Sequence, residues 1–196
     1  MRATRLIVSA LCALALVSCT PAPAARNADG PVEEPLAATT TTAPALPPRP
    51  RDVRLDDVDP CAVLTPEQRA ELSLDNPPSP YLETTFGNAK ACTIRSNISG
   101  NVVRLALVVV EGARVWLTED AQVDARLTRI MGFPALIVRT PQLDEVCNVE
   151  VDVADGQFLD VMFRDGGNRT ALGQDALCQG AQRAAEAAVA SLLQRG

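Results

Sequence analysis

Four cysteines, Cys61, Cys92, Cys147 and Cys178, constrain this chain more than any other feature. None lies in a C-x-x-C pair and the chain has no histidine, so the close thiolate or thiolate–imidazole spacings of a zinc site are missing. A catalytic thiol would need a histidine partner, and there is none. The cysteines therefore read as two structural disulfides, which form and persist in an oxidising compartment. Four cysteines allow three pairings. The sequential one, Cys61–Cys92 and Cys147–Cys178, is expected: each pair ties a helix start to a strand, and each spans a separation of 31 residues. Loop entropy assigns each bridge about 3–4 kcal/mol. No metal and no cofactor is expected.

The amino terminus names the compartment. Arg2 and Arg5 precede an apolar run from Leu6 to Val17, and small Ser18 precedes Cys19. A charged start, an apolar middle and a small-residue cut site make a secretory signal. Leu6–Val17 falls well short of the roughly 20 residues that span a bilayer. Leu16-Val17-Ser18-Cys19 resembles the lipobox of bacterial lipoproteins. That resemblance implies cleavage before Cys19, lipidation of its thiol, and a protein held on the extracytoplasmic face of the cell membrane. Cys12 would leave with the signal. Two or three acyl chains anchor stably where one does not. Residues 1–18 are thus expected to be a signal peptide, 19–51 a lipidated cysteine plus linker, and 52–196 one globular domain.

The linker reads proline, alanine and threonine, punctuated from Pro21 to Pro50. Such a stretch buries too little apolar surface to offset its ordering entropy. Proline density favours an extended spacer of about 3.1 Å per residue. Thr39–Thr42 would permit O-linked sugars.

Charge narrows the partners. The chain carries a net charge of −6, and loss of a leader with two arginines and no acid makes it more acidic still. Nucleic-acid and anionic-lipid surfaces call for clustered lysine and arginine, so neither is an expected partner. The membrane is reached through the lipid on Cys19; the other partner is an unidentified protein or small molecule.

Within the domain, Asp59-Pro60-Cys61 opens a helical turn with a cap and a proline at its first position. Thr65-Pro66-Glu67-Gln68 is a capping box, and the helix it starts must stop before Asn76-Pro77-Pro78-Ser79-Pro80. Strands are expected at 89–95, 102–110, 126–131, 135–139, 145–153 and 157–164. The run 102–110 is apolar on nearly both faces and reads as central. In 145–153, Cys147, Val149, Val151 and Val153 point one way and Asn148, Glu150 and Asp152 the other. Asp155-Gly156 is a tight hairpin turn. A short helix is expected around Thr118–Gln122, and a long terminal one capped by Asp175 carries an alanine-rich stripe. The order predicts an α+β fold: an antiparallel sheet of about five to six strands packed with N- and C-terminal helices, with two disulfides.

Taken together, Cys19 after Val17-Ser18, the Pro/Thr linker, Asp59-Pro60-Cys61 with Leu64-Thr65, Cys92 in a strand, Gly132-Phe133-Pro134-Ala135, Cys147 among alternating valines and Cys178 in an alanine-rich helix resemble the actinobacterial lipoproteins of domain of unknown function 3558. Members place an aromatic residue two past the second cysteine, where this chain has Ile94. The resemblance implies a location and a fold, and no catalytic residues.

Without histidine, Ser/His and Cys/His triads are excluded. Carboxylate pairs remain: Asp56, Asp57 and Asp59 at the linker junction, and Asp144 with Glu145. The first group reads as a solvated run with a cap, the second as an exposed turn. Trp116 and Tyr81 are the only Trp and Tyr; Trp116 reads as a half-buried anchor. Glu150, Asp152 and Asp160 are expected to pair with Arg104, Arg129 or Arg164 at the surface, where such pairs contribute little. The expectation is a non-catalytic binding module, with a sensor or accessory subunit, or a carboxylate-dependent hydrolase, as alternatives.

Overall fold

A computed structural model describes residues 45–167 and 170–195. The expected signal peptide, the expected lipidation site Cys19 and Thr39–Thr42 lie outside the described residues. Seven strands form one antiparallel sheet: β1 (Ser79–Glu83), β2 (Ala89–Arg95), β3 (Asn101–Val108), β4 (Asp124–Ile130), β5 (Phe133–Arg139), β6 (Val146–Ala154) and β7 (Gln157–Asp165). Their spatial order is β1-β2-β3-β7-β6-β5-β4. Two meanders, β1-β2-β3 and β4-β5-β6-β7, are joined side by side through β3 and β7.

The strand missing from the sequence reading is β1. Its Ser79 and Pro80 belong to a proline cluster that reads as a breaker. Proline is tolerated there because β1 is an edge strand with one side unpaired. The expected N-terminal helical layer is not formed either. α1 (Pro66–Glu71) has six residues, none buried. Its capping box is present: Thr65 Oγ1 accepts from the Gln68 N–H, and Gln68 Oε1 accepts from the Thr65 N–H. The helix ends at once because Ser73 turns into the left-handed region at φ 56° and the Leu74 N–H bonds back to Arg69.

The C-terminal helix α2 (Gln174–Arg195) lies on one face of the sheet against β6 and β7. It starts one residue before Asp175, which sits in the first turn and accepts from Arg139 at 2.6 Å. Leu177, Ala181, Ala184, Ala185, Ala188 and Leu192 are all buried against Val103, Leu105, Val149, Val151, Leu159 and Val161. Small alanines let the helix axis approach the sheet. At Gly180 the approach leaves no room for a side chain: a Cβ would fall 2.7 Å from the Phe163 ring. Disulfides Cys61–Cys92 and Cys147–Cys178 both lie in this helix-side layer, the first fixing the Pro60–Ala62 turn to β2 and the second fixing β6 to α2.

The other face is covered differently, for a topological reason. β3 is central and β4 is the far edge, so residues 109–123 must cross the sheet between them. They do so as two short 3₁₀ turns, Ala113–Leu117 and Glu119–Ala121, with the first lying against β5 and β6. This crossing segment roofs a second, smaller apolar cluster of Phe86, Ala91, Ala106, Val108, Ala113 and Phe158. Leu46, Val115 and Trp116 pack against it from outside. Contacts with the domain thus begin at Leu46, inside the stretch read as linker. Farther along this N-terminal arm the Val53 N–H bonds to Val153, and Leu55 is buried with its N–H on Gln157 Oε1.

Candidate functional site

Under the roof the sheet carries charge. Cross-strand register puts Thr93, Arg104, Met162 and Asn148 in one row, and Ala106, Asp160 and Glu150 in the next. Arg104 spans the rows and the strands: Nη2 donates to Asp160 Oδ2 at 2.5 Å and Nη1 to Glu83 Oε2 at 2.9 Å. Its guanidinium lies 5.8 Å from the centre of the Phe86 ring. Asp160 is completed by Asn148, whose Nδ2 donates to Oδ1 at 2.6 Å. Glu83 also accepts from Tyr81 and Thr85 hydroxyls. Three aromatic rings adjoin the site, Trp116 of the roof edge-on to Phe86 at 6.1 Å and Phe86 edge-on to Phe158 of β7 at 5.6 Å.

This is where the structure departs most from the sequence reading. Glu150, Asp152 and Asp160 were expected at the surface, but Glu150 and Asp160 are fully buried and Asp152 nearly so, because the crossing segment and the arm cover the face. Arg104 does pair with Asp160, as a buried link. Asp152 pairs with Arg49 of the arm at 2.6 Å instead. Arg129 donates to the Gly132 carbonyl rather than to an acid.

Glu150 stands apart. Among the described residues neither of its oxygens meets an N–H or O–H donor, and Trp116 Nε1 and Arg104 Nε are also buried without an acceptor. Burial pushes the Glu150 carboxyl well above the usual range; the adjacent Asp160 pushes the same way, and Arg104 and Asn148 pull against it without overcoming it. Burial also opposes the charge on Arg104, but Asp160 and its other anionic neighbours outweigh it and hold the guanidinium protonated. Burial pushes the Tyr81 hydroxyl up to about 12. Burial likewise raises Asp152, against the pull of Arg49.

The acids singled out from sequence do not assemble into a site. Asp59 caps the Cys61 N–H, Asp56 accepts from Gln157 and Arg54, and Asp57 is exposed. Asp144 and Glu145 are exposed in the β5–β6 loop. Trp116 is half-buried, as read, yet its indole N–H has no partner among the described residues. The described residues hold no cluster of three or more ligating side chains suited to a metal. A groove of about 710 Å³ runs between the arm, the roof and the β6–β7 turn, with Arg49, Arg114, Val115 and Asp152 among its walls. A second, of about 450 Å³, lies at the β1 edge against Val58, Pro80, Tyr81 and Leu82.

Residues 14–191 match the family described as protein of unknown function (DUF3558), a span that takes in Cys19 and all four later cysteines. No curated protein and no solved structure matches the chain. With a match over most of its length, this chain belongs to the domain of unknown function 3558 family.

Proposed function

We propose that this chain is an extracytoplasmic lipoprotein, held on the cell membrane through lipid on Cys19, whose domain is a non-catalytic binding module. The observation that carries the binding half is the roofed face. It keeps a guanidinium, an indole N–H and a carboxyl with unfilled hydrogen-bonding capacity at a roof whose Gly112, Arg114 and Val115 also wall an arm-lined groove. Buried polar groups are ordinarily satisfied, and an orphan group is destabilising by about 1–3 kcal/mol, so three together point to use rather than accident. The anchoring half is supported by Leu16-Val17-Ser18-Cys19, which lies inside the family-matched span, and by two disulfides suited to an oxidising compartment. The ligand is a protein or small molecule; an accessory subunit of an envelope complex is the same reading with a protein ligand.

A hydrolase is not adopted. Glu150 and Asp160 resemble an acid/base pair in composition, but both are fully buried and neither lines the grooves described above.

Two experiments test the proposal. Alkynyl-palmitate labelling in the native host should mark the wild-type chain and not Cys19→Ala, which should also leave the membrane fraction or remain unprocessed. Unchanged retention of an unlabelled variant refutes the anchor. A photo-crosslinker at Arg114, beside the groove, should capture one dominant neighbour or ligand. A crosslinker at Glu186, on exposed α2, should not. Equal capture at both sites sinks the assignment of the binding face.

A further inference from the structure

We infer that Glu150 carries a proton that it donates to Asp160, and that this hydrogen bond is a latch: losing the proton lifts the roof, residues 109–123, off the sheet and opens the Arg104 site to solvent. The inference goes beyond the binding proposal, since the latch stands whether or not the face it covers binds a ligand.

Geometry carries it. Glu150 and Asp160 face each other directly across β6 and β7, and both are fully buried. Directly opposed side chains have Cβ atoms about 4.5–5.5 Å apart, so two carboxyl groups there are in contact range. Both Asp160 oxygens already accept, from Arg104 and Asn148. An ionised Glu150 could only accept there, against the charge of Asp160 at its side, whereas a protonated Glu150 can donate to it. The one cation acting on Glu150 is shared: Arg104 also holds Asp160 and Glu83 through its two terminal nitrogens.

The remaining surroundings offer no counter-charge. Asp152, next along β6 on the same face, is held by Arg49 of the arm. From β5 the residue opposite Glu150 is Leu136. From β1 come Glu83 and Tyr81, a second acid and a hydroxyl that bonds to it. The charged residues of the roof are Glu111, Arg114, Glu119 and Asp120, of which the last two and Arg114 are exposed. Loss of the proton to solvent base leaves two buried carboxylates in contact, with one guanidinium between three acids.

The roof is the layer that yields. Its own hydrogen bonds run inward, Val115 N–H to Gly112, Thr118 N–H to Val115 and Ala121 N–H to Thr118. Its hold on the sheet is through Ala113, Val115 and Trp116 on Phe86 and Phe158. The opposite layer is fixed by two disulfides. Because folded Glu150 titrates well above an ordinary carboxyl, the latch is closed below that transition, and its contribution to stability is fully present below about pH 4, where an unfolded glutamate is also protonated. It opens as pH rises through the Glu150 transition.

Trp116 is the chain's single tryptophan and sits in the roof, so it reports the motion. In full-length protein held in detergent, infrared spectra should show a buried carboxylic-acid band that disappears as pH rises. Over the same range Trp116 emission should move to the red and become more quenchable by acrylamide. Glu150→Gln keeps the shape and the donor, and should abolish both the band and the fluorescence change. Asp160→Asn replaces an acceptor by an amide that can donate to ionised Glu150, and should move both to lower pH. The latch is overturned if the acid band is missing at every pH, if it vanishes with no change at Trp116, or if Glu150→Gln keeps the fluorescence transition. Should Glu150→Gln fail to fold, an unshifted transition in Asp160→Asn overturns it equally.

Discussion

Glu150 meets Asp160 because the register of β6 and β7 slips by one residue between Asp152 and Ala154. At the hairpin end Ala154 pairs with Gln157; from Asp152 onward the sum of paired numbers drops by one, and Asp152 pairs with Phe158. Run without the slip, the pairing would set Glu150 against Val161, a residue of the helix-side core. A one-residue shift exchanges the faces of a whole strand. This bulge therefore keeps the valines of both strands under α2 and places two acids together beneath the roof.

The first prediction concerns stability against pH. The raised titration of Glu150 stabilises the fold where the group is protonated, and that contribution is lost as pH rises through the transition. Glu150→Gln should be more stable than wild type on the alkaline side by about 1–3 kcal/mol, the scale of one unsatisfied buried group. Urea midpoints measured across pH should converge below the unfolded glutamate range, separate as pH rises toward the Glu150 transition, and hold a constant gap above it. Parallel curves would contradict the buried proton.

Arg104 gives the opposite result. Arg104→Met leaves Asp160 and Glu83 without their shared cation, and stranding a buried charge is destabilising by about 3–5 kcal/mol. Arg104→Lys should recover little, since one ammonium cannot reproduce two divergent N–H contacts. Thermal melts of both variants check this; full recovery by lysine would show that charge alone suffices.

Gly180 inverts the usual rule for helices. Alanine is favoured over glycine in a helix interior by about 1 kcal/mol. Here the added methyl would lie 2.7 Å from the Phe163 ring, so Gly180→Ala should destabilise by about 1–3 kcal/mol. Shrinking the ring in a Gly180→Ala, Phe163→Leu double variant should recover part of the loss. Additive losses in the two single variants would show that the ring and the helix are not in contention.

The disulfides are checked directly. Non-reducing peptide mapping should link Cys61 to Cys92 and Cys147 to Cys178. Replacing either pair with serine should reduce stability by about 3–4 kcal/mol, the loop-entropy scale for 31 residues.

Much of this architecture can be read from residues. Period-2 valines from Cys147 to Val153 mark the helix-side face of β6, and the alanine stripe marks the inner face of α2, because local periodicity is set by the burial it serves. The candidate site is legible only in fragments. Arg104 with Asp160 is foreseeable as a pair. Their burial is not, because it depends on residues 109–123 crossing the sheet, and that path follows from the order β3-β7-β6-β5-β4. The Glu150–Asp160 contact hangs on a register slip beside the Asp155-Gly156 turn; the left-handed Gly156 announces the turn but not the slip. β1 is hidden by prolines whose tolerance comes from its place at the sheet edge.

The arm gives the domain a mechanical polarity. Chain entering at Ala45 touches the domain first through Leu46 beside Trp116, then through Arg49 on Asp152, and only later through Val53 and the buried Leu55. Both disulfides come after these contacts in the chain. A pull from the N-terminal side is therefore taken up in sequence. It peels Leu46 and Arg49 away from the roof and its groove before any load reaches the cross-linked layer. Such a pull thus acts on the same covered face that the buried carboxyl pair holds shut.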